Sequence, residues 1–94
     1  MSTEYADQVF EYHQNAFEYS QQGEFATAAS MWQQILDDEA MTQCFTAEGI
    51  ADIAFNCAAA HYFAGQQDEY QAIVADHGLS EAQCAHILAG AQGQ

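Results

Sequence analysis

The amino-acid sequence predicts an all-α protein: a compact bundle of about five helices that forms one domain over residues 1–94. Apolar side chains recur at intervals of three and four residues through most of the chain, which is the period of one face of an α-helix. Glycines close these segments, and the chain contains no proline that would break them. No long polar linker divides the sequence, so we expect a single core of modest size.

The first predicted helix runs from about Thr3 to Gln22 and carries an apolar stripe. The stripe alternates steps of four and three residues and contains Tyr5, Val9, Tyr12, Ala16 and Tyr19. Three acids follow one edge of this stripe, namely Glu4, Glu11 and Glu18. Gly23 is expected to end the helix, because glycine readily adopts the left-handed conformation found after helix C-termini.

The second predicted helix runs from about Phe25 to Asp38. Its apolar face contains Phe25, Ala28, Ala29, Trp32, Ile35 and Leu36. We expect that face to pack against the first helix, with Trp32 in the core. Asp37, Asp38 and Glu39 come at the end of the helix, where the dipole is negative and disfavours further negative charge. That end is therefore expected to fray or to be neutralised by another group.

The third and fourth predicted helices are separated by a glycine. Thr46 can cap the third, which continues to about Ala64 and stops at Gly65. The fourth runs from about Gln67 to Asp76 and stops at Gly78. Together they predict a second helical hairpin.

The fifth helix has the clearest start signal. Ser80 and Gln83 fit a capping box, in which each side chain binds the other residue's backbone N–H. Leu79 and Cys84 have the spacing of a hydrophobic staple across this start. The helix is expected to end near Gly90.

The first hairpin resembles two families of helical proteins. Gly23, Phe25, Ala28 and Trp32 resemble the centre of a tetratricopeptide repeat, and a second hairpin around Gly65 lies 42 residues later rather than the usual 34. The stretch AFEYSQQGEFATAASMWQQIL is also similar to the ANR proteins (AraC negative regulators). Both resemblances imply tetratricopeptide-like helical hairpins that bind other proteins, and neither implies catalysis.

The charge of the chain is extreme. Fourteen carboxylates are accompanied by no Lys or Arg, which gives a formal net charge of −14 at pH 7, and glutamine occupies many polar positions instead. Such a surface repels nucleic acid and anionic membranes because both are negative. We therefore expect no direct contact with nucleic acid or membrane, and a basic protein as the natural partner.

The expected location is the cytoplasm. No stretch approaches the roughly 18 consecutive apolar residues of a membrane-spanning helix, and no cationic flank typical of a signal peptide is present. The cysteines Cys44, Cys57 and Cys84 are odd in number, which favours reduced thiols. We interpret them as small buried side chains.

Metal binding is considered at four residues, Cys57, His61, Cys84 and His86. Cys57 and His61 are four residues apart on one predicted helix and could share a zinc ion with the other two. The spacing of Cys84 and His86 is not that of a standard zinc motif, so core packing is the preferred interpretation. No metal or other cofactor is predicted, and whether these four residues ever bind metal stays open.

No catalytic group is predicted either. A cysteine nucleophile normally needs positive surroundings that lower its pKa, and this chain has no fixed cation. Glu48 and Asp52 lie four residues apart on one helix face, as paired acids in a hydrolase can, but we interpret them as solvated surface. The sequence therefore predicts a protein that is not an enzyme.

The first functional hypothesis is that the acidic surface binds and inhibits or modulates a basic, nucleic-acid-binding protein. Its acidic character is similar to that of phage-encoded inhibitors that mimic DNA. The predicted centre of the surface is Asp37, Asp38, Glu39, Glu48 and Asp52, together with Glu4, Glu11 and Glu18 on the first helix. Duplex DNA presents one charge per about 1.7 Å, so one helix edge alone would be a poor mimic.

The second hypothesis is an adaptor, chaperone or ANR-like transcription regulator that binds a partner helix in an aromatic groove. The first helix has more aromatic side chains than one face of a single helix usually buries, and aromatic residues are favoured at interface cores. Tyr12, Tyr19 and Tyr62 are the candidate contacts. A homodimer through the first helix, and a helical scaffold whose charge was engineered, are further alternatives.

Overall fold

Six helices and no strand make up residues 3–92, the range that the computed structural model describes. The helices are α1 (Thr3–Gln21), α2 (Phe25–Asp37), α3 (Glu39–Thr42), α4 (Ala47–Phe63), α5 (Gln67–His77) and α6 (Glu81–Gln92). The all-α prediction is confirmed. Five of the helices correspond to the five predicted ones, the additional α3 is a single turn, and α6 continues past the predicted end at Gly90.

The helices α2 and α4 form the centre of the bundle. α2 packs against both α1 and α4, and α4 also packs against α5 and α6. The start of α2 meets the end of α4 through Phe25 and Phe63, whose rings are 5.2 Å apart, so these two helices are antiparallel. α6 runs parallel to α4, because His86 lies against Phe55 at the middle of each helix and Gly90 lies against Phe63 towards the end of each.

The two helical hairpins use the same turn. Gly23 and Gly65 have φ angles of +83° and +79°, in the left-handed region that favours glycine. After each glycine, the next backbone N–H donates back to the preceding helix, from Glu24 to the carbonyl of Tyr19 at 2.9 Å and from Gln66 to that of His61 at 2.8 Å. The α1–α2 and α4–α5 connections are therefore equivalent in the backbone, although the side chains around them differ.

Side chains of α2 and α4 supply most of the core. The largest fully buried side chains are Trp32, Ile35, Ile53, Ile73 and Cys57. The predicted core position of Trp32 is confirmed, since only 2% of this residue is exposed. Ala28, Ala29, Ala54 and Ala58 are also fully buried, and their small side chains let the two helices approach closely.

The acids at 37–39 are placed differently from what the sequence predicted. Asp38 ends α2 and at the same time caps α3, with its Oδ1 accepting from the backbone N–H of Ala40 at 2.9 Å and of Met41 at 3.4 Å. Glu39 occupies the first turn of α3. Both carboxylates are therefore next to the positive end of a helix dipole, which favours them. For Asp38 and Glu39 the expected compensation therefore comes from the start of α3, a helix that the sequence interpretation did not foresee.

The predicted start of α6 is confirmed. The Ser80 backbone N–H donates to Gln83 Oε1 at 2.9 Å, and the Gln83 backbone N–H donates to Ser80 Oγ at 3.1 Å. Leu79 and Cys84 are both half-buried against the core. The predicted cap at Thr46 is also present, since its Oγ1 accepts from the Gly49 N–H at 3.1 Å.

Candidate functional site

A polar groove of about 570 Å³ lies between α2 and the start of α5. We call it the α2–α5 groove. Its lining residues are Ala26, Ser30, Gln33, Gln34, Asp37, Asp38, His61, Gln66 and Glu69. Three of these carry carboxylates, four are amide or imidazole side chains, and the chain has no Lys or Arg to neutralise them. The groove is therefore a negative site with many hydrogen-bond acceptors.

Gln33 is the centre of a hydrogen-bond network at the base of this groove. Its Nε2 donates to Asp37 Oδ1 at 3.0 Å, which fixes the orientation of the amide. Its Oε1 then accepts from His61 Nε2 at 3.1 Å and lies 3.8 Å from Cys57 Sγ. The network connects the exposed carboxylate of Asp37 to groups in the core.

His61 joins the groove to the α4–α5 turn. The residue is only 5% exposed, and its Nδ1 lies 2.7 Å from Gln66 Oε1. Because Gln33 presents an acceptor, His61 Nε2 carries a proton. The Gln66 amide can present either its oxygen or its nitrogen to Nδ1, so both ring nitrogens keep a partner whether the imidazole is neutral or protonated.

The thiol nearest the groove is chemically inert. Burial, with a smaller contribution from the charge of Asp37, raises the pKa of the Cys57 thiol to about 12. The thiol donates to the Ala29 carbonyl oxygen at 3.6 Å. A neutral, buried thiol is a poor nucleophile, so this arrangement does not favour covalent chemistry.

The four residues considered for metal binding do not converge. Cys57 and His61 both bind Gln33, Cys84 interacts with Tyr70, and His86 lies against the ring of Phe55. Between residues 3 and 92, no group of three His, Cys, Asp or Glu side chains has an arrangement that could hold a metal ion. In the described structure the four side chains have packing and hydrogen-bonding partners instead.

The five acids of the predicted centre are divided between different places. Asp37 and Asp38 line the α2–α5 groove. Glu39 and Glu48 are exposed in the first turns of α3 and α4. Asp52 lines another cavity, of about 360 Å³, between α4 and α6. Only two of the five acids therefore contribute to the groove.

The three acids predicted on the first helix are exposed along α1. Glu4, Glu11 and Glu18 are successive positions seven residues apart, or about 10 Å at 1.5 Å per residue. Glu18 lines a further cavity with Asn15, Tyr19 and Gln22. These acids add to the negative field but do not line the α2–α5 groove.

The three predicted aromatic contacts lie on different helix pairs. Tyr12 is half-buried between α1 and α2, and its hydroxyl donates to Gln34 Oε1 at 2.8 Å. Tyr62 is half-buried on α4, with its ring 5.2 Å from that of Tyr70 on α5. Tyr19 is 39% exposed near the α1–α2 turn. Two of the three therefore pack within the fold.

Sequence reasoning assigned no partner-binding role to six polar residues of the groove, namely Ser30, Gln33, Gln34, His61, Gln66 and Glu69, and considered His61 only as a metal ligand. One signal could have found part of this set. Gly65 predicts a tight turn, and such a turn brings the residue after it back against the last turn of the preceding helix, where His61 lies. Gln33 and Gln34 gave no such signal, because their neighbours across the groove are distant in sequence.

Comparison with known proteins gives no match. No protein-family model, no curated protein and no solved structure matches the chain. The likenesses to tetratricopeptide hairpins and ANR proteins are those of short motifs. Among residues 3–92, none of the helices has the length and apolar character needed to cross a membrane.

Proposed function

We propose that this protein is a non-catalytic, cytoplasmic binding protein that modulates a basic, nucleic-acid-binding protein by receiving its cationic side chains in the α2–α5 groove. The observation that carries the proposal is the groove itself, where Asp37, Asp38 and Glu69 meet without a cation of the chain to pair them. A bound arginine or lysine would supply the missing charge. Occupying such side chains would keep the partner from binding nucleic acid.

The chemistry of the groove suits arginine in particular. A guanidinium has five N–H donors in a fixed plane, and it binds carboxylates through paired hydrogen bonds. The groove offers carboxylate oxygens on Asp37 and Asp38, and Glu69 stands on the opposite wall. Gln34 and Gln66 also line the groove, and each amide oxygen has a second lone pair that can accept a remaining donor.

The charge of the whole chain supports rapid encounter. A net charge of −14 attracts a basic partner over roughly a Debye length, which is about 8 Å at physiological salt. Attraction of this kind raises association rates more than it raises affinity, and added salt reduces it. Binding should therefore weaken steeply as salt increases.

A labelled nona-arginine peptide tests the proposal. Its binding is measured by fluorescence anisotropy over a range of salt for the wild type and for two triple variants of equal charge. The groove variant is Asp37→Asn, Asp38→Asn and Glu69→Gln, and the α1 variant is Glu4→Gln, Glu11→Gln and Glu18→Gln. The Asp38→Asn change should preserve the cap of α3, because asparagine is as good an N-cap as aspartate.

The groove variant is expected to lose more affinity than the α1 variant. Three charge pairs at about 0.2 to 1 kcal/mol each predict a loss of roughly 3- to 150-fold. Equal losses would mean that the peptide responds only to net charge, and the groove would have no special role. A peptide with citrulline in place of arginine has the same shape without the charge, and it should not bind.

The aromatic hypothesis keeps one supporting observation, the exposure of Tyr19. If a partner protein binds through an apolar surface, a Tyr19→Ala change should weaken binding with little dependence on salt. The groove variant should then bind as the wild type does. The two hypotheses therefore predict opposite results for the groove variant and the Tyr19→Ala variant.

A further inference from the structure

His13 occupies an aromatic environment on α1. Its ring lies 4.8 Å from that of Phe17, 5.7 Å from that of Phe45 and 6.2 Å from that of Trp32, measured between centroids. Trp32 Nε1 donates a hydrogen bond to His13 Nδ1 at 2.8 Å. The indole N–H of a tryptophan that is only 2% exposed thus has its acceptor on a histidine.

This hydrogen bond requires a neutral imidazole. A neutral ring has one acceptor nitrogen, and here that nitrogen is Nδ1, so the proton is on Nε2. A protonated ring has two N–H groups and no acceptor, and the indole nitrogen is only a donor. Protonation of His13 therefore places two N–H groups against each other, and neither side chain can adjust by turning over.

The other three histidines have no such restriction. His61 faces the Gln66 amide, which can offer an acceptor or a donor as the charge of the ring changes. His77 and His86 are exposed to water. Of the four histidines in the chain, His13 is thus the one whose hydrogen bond is lost when its ring is protonated.

The groups around His13 decide how it titrates. Along α1 its neighbours one turn away are Val9, Phe10, Ala16 and Phe17, none of which is charged. Trp32 faces it from α2 and Phe45 from the segment before α4, and the charged group that acts on it is Asp52 on α4. Burial lowers the pKa of His13 below the ordinary 6.5, and the negative charge of Asp52 raises it in part.

We propose that His13 is a proton-sensitive latch that holds α1 on α2 at neutral pH and releases the contact when the ring is protonated. Protonation releases the indole of Trp32 from its hydrogen bond and disrupts the aromatic contacts of α1 with Phe45. Because folding lowers the pKa of His13, the neutral ring contributes stability above about pH 6.5. That contribution is lost as the pH falls through the lower pKa of the folded protein.

The single tryptophan of the chain reports on this contact. Fluorescence of Trp32 and the NMR signal of its indole N–H are followed from pH 8 to pH 5 in the wild type, His13→Gln and His77→Gln. The glutamine introduced by His13→Gln can accept the indole N–H at every pH, and His77 is an exposed control on α5. All three proteins keep the same fourteen carboxylates, so their general titration is common to the set.

The wild type and the His77→Gln control should both show a transition below about pH 6.5 that the His13→Gln variant lacks. Backbone amides of α1 should also exchange faster at pH 5 than at pH 7.5, after correction for intrinsic rates, in the two proteins that keep His13. The same transition in the His13→Gln variant would overturn the proposal.

A Trp32→Phe variant gives an independent measurement if the His13→Gln protein does not fold. Removing the indole removes the donor that stabilises the neutral ring, so the NMR titration of the His13 ring protons should move to higher pH. An unchanged His13 titration would show that the hydrogen bond does not control its protonation.

Discussion

The half-buried bond between Gln33 and His61 gives the sharpest stability prediction. A Gln33→Met change keeps the length of the side chain but removes the acceptor 3.1 Å from His61 Nε2. His61 is 5% exposed, and an unsatisfied buried donor costs about 1 to 3 kcal/mol. For a domain of this size the midpoint of thermal unfolding should fall by roughly 4 to 8 °C for each kcal/mol.

The cost should diminish when both partners are replaced. Gln33→Met combined with His61→Leu removes both members of this bond, and replacing both members of a buried hydrogen bond can be nearly neutral. Groups in one such network have coupling energies of about 0.5 to 3 kcal/mol in a double-mutant cycle. Urea or thermal unfolding of the four proteins measures that coupling.

A neighbouring pair supplies the control. Tyr12 donates to Gln34 at 2.8 Å, but this bond is exposed to water, which can replace either partner. The cycle of Tyr12→Phe with Gln34→Met should therefore give a coupling below about 0.5 kcal/mol. If the coupling of Gln33 with His61 is no larger than that of the control, the buried network does not contribute as argued.

Two further predictions concern stability. The thermal midpoint of the wild type should rise between low salt and about 0.5 M salt, because ions screen the repulsion among fourteen carboxylates; an unchanged midpoint would show that this repulsion is insignificant. Ser80→Ala should destabilise the protein by about 0.5 to 2 kcal/mol in urea unfolding, because the Gln83 N–H loses its cap, whereas the exposed, mid-helix Ser30→Ala should have little effect or a slight stabilising one. Equal effects of the two changes would argue against the cap.

The parts of the fold that could be predicted are those set by local rules. Helix periodicity placed five helices, Gly23 and Gly65 marked both hairpin turns, and the spacing of Ser80 and Gln83 identified a capping box. The core position of Trp32 followed from its place on the apolar face of α2. Each of these features depends on residues a few positions apart.

The parts that could not be predicted depend on contacts between distant residues. The acceptor of Trp32 is His13 on another helix, and the groove unites Gln33 on α2 with Glu69 on α5. The five acids between Asp37 and Asp52 are close in sequence, but only Asp37 and Asp38 line the groove, and Asp52 lines the cavity between α4 and α6. Closeness along the chain was therefore a poor guide to the composition of the candidate site.

The absence of cations changes how the chain accommodates its carboxylates. Eight of the fourteen acids stand at helix starts, where exposed backbone N–H groups and the positive end of the dipole stabilise negative charge. They are Glu4, Glu39, Glu48, Asp68, Glu69 and Glu81 in first turns and Glu24 and Asp38 at N-cap positions. Helix starts therefore take over part of the role that Lys and Arg have in most proteins.

Asp37 is an exception to that arrangement. It is the last residue of α2, at the negative end of the dipole, and its hydrogen-bond donor is the neutral amide of Gln33. The other two groove acids, Asp38 and Glu69, each stand at a helix start. An external cation should therefore lower the energy of Asp37 more than that of either neighbour. Of the three single changes that make up the groove variant, Asp37→Asn should therefore cause the largest loss of affinity for the arginine peptide.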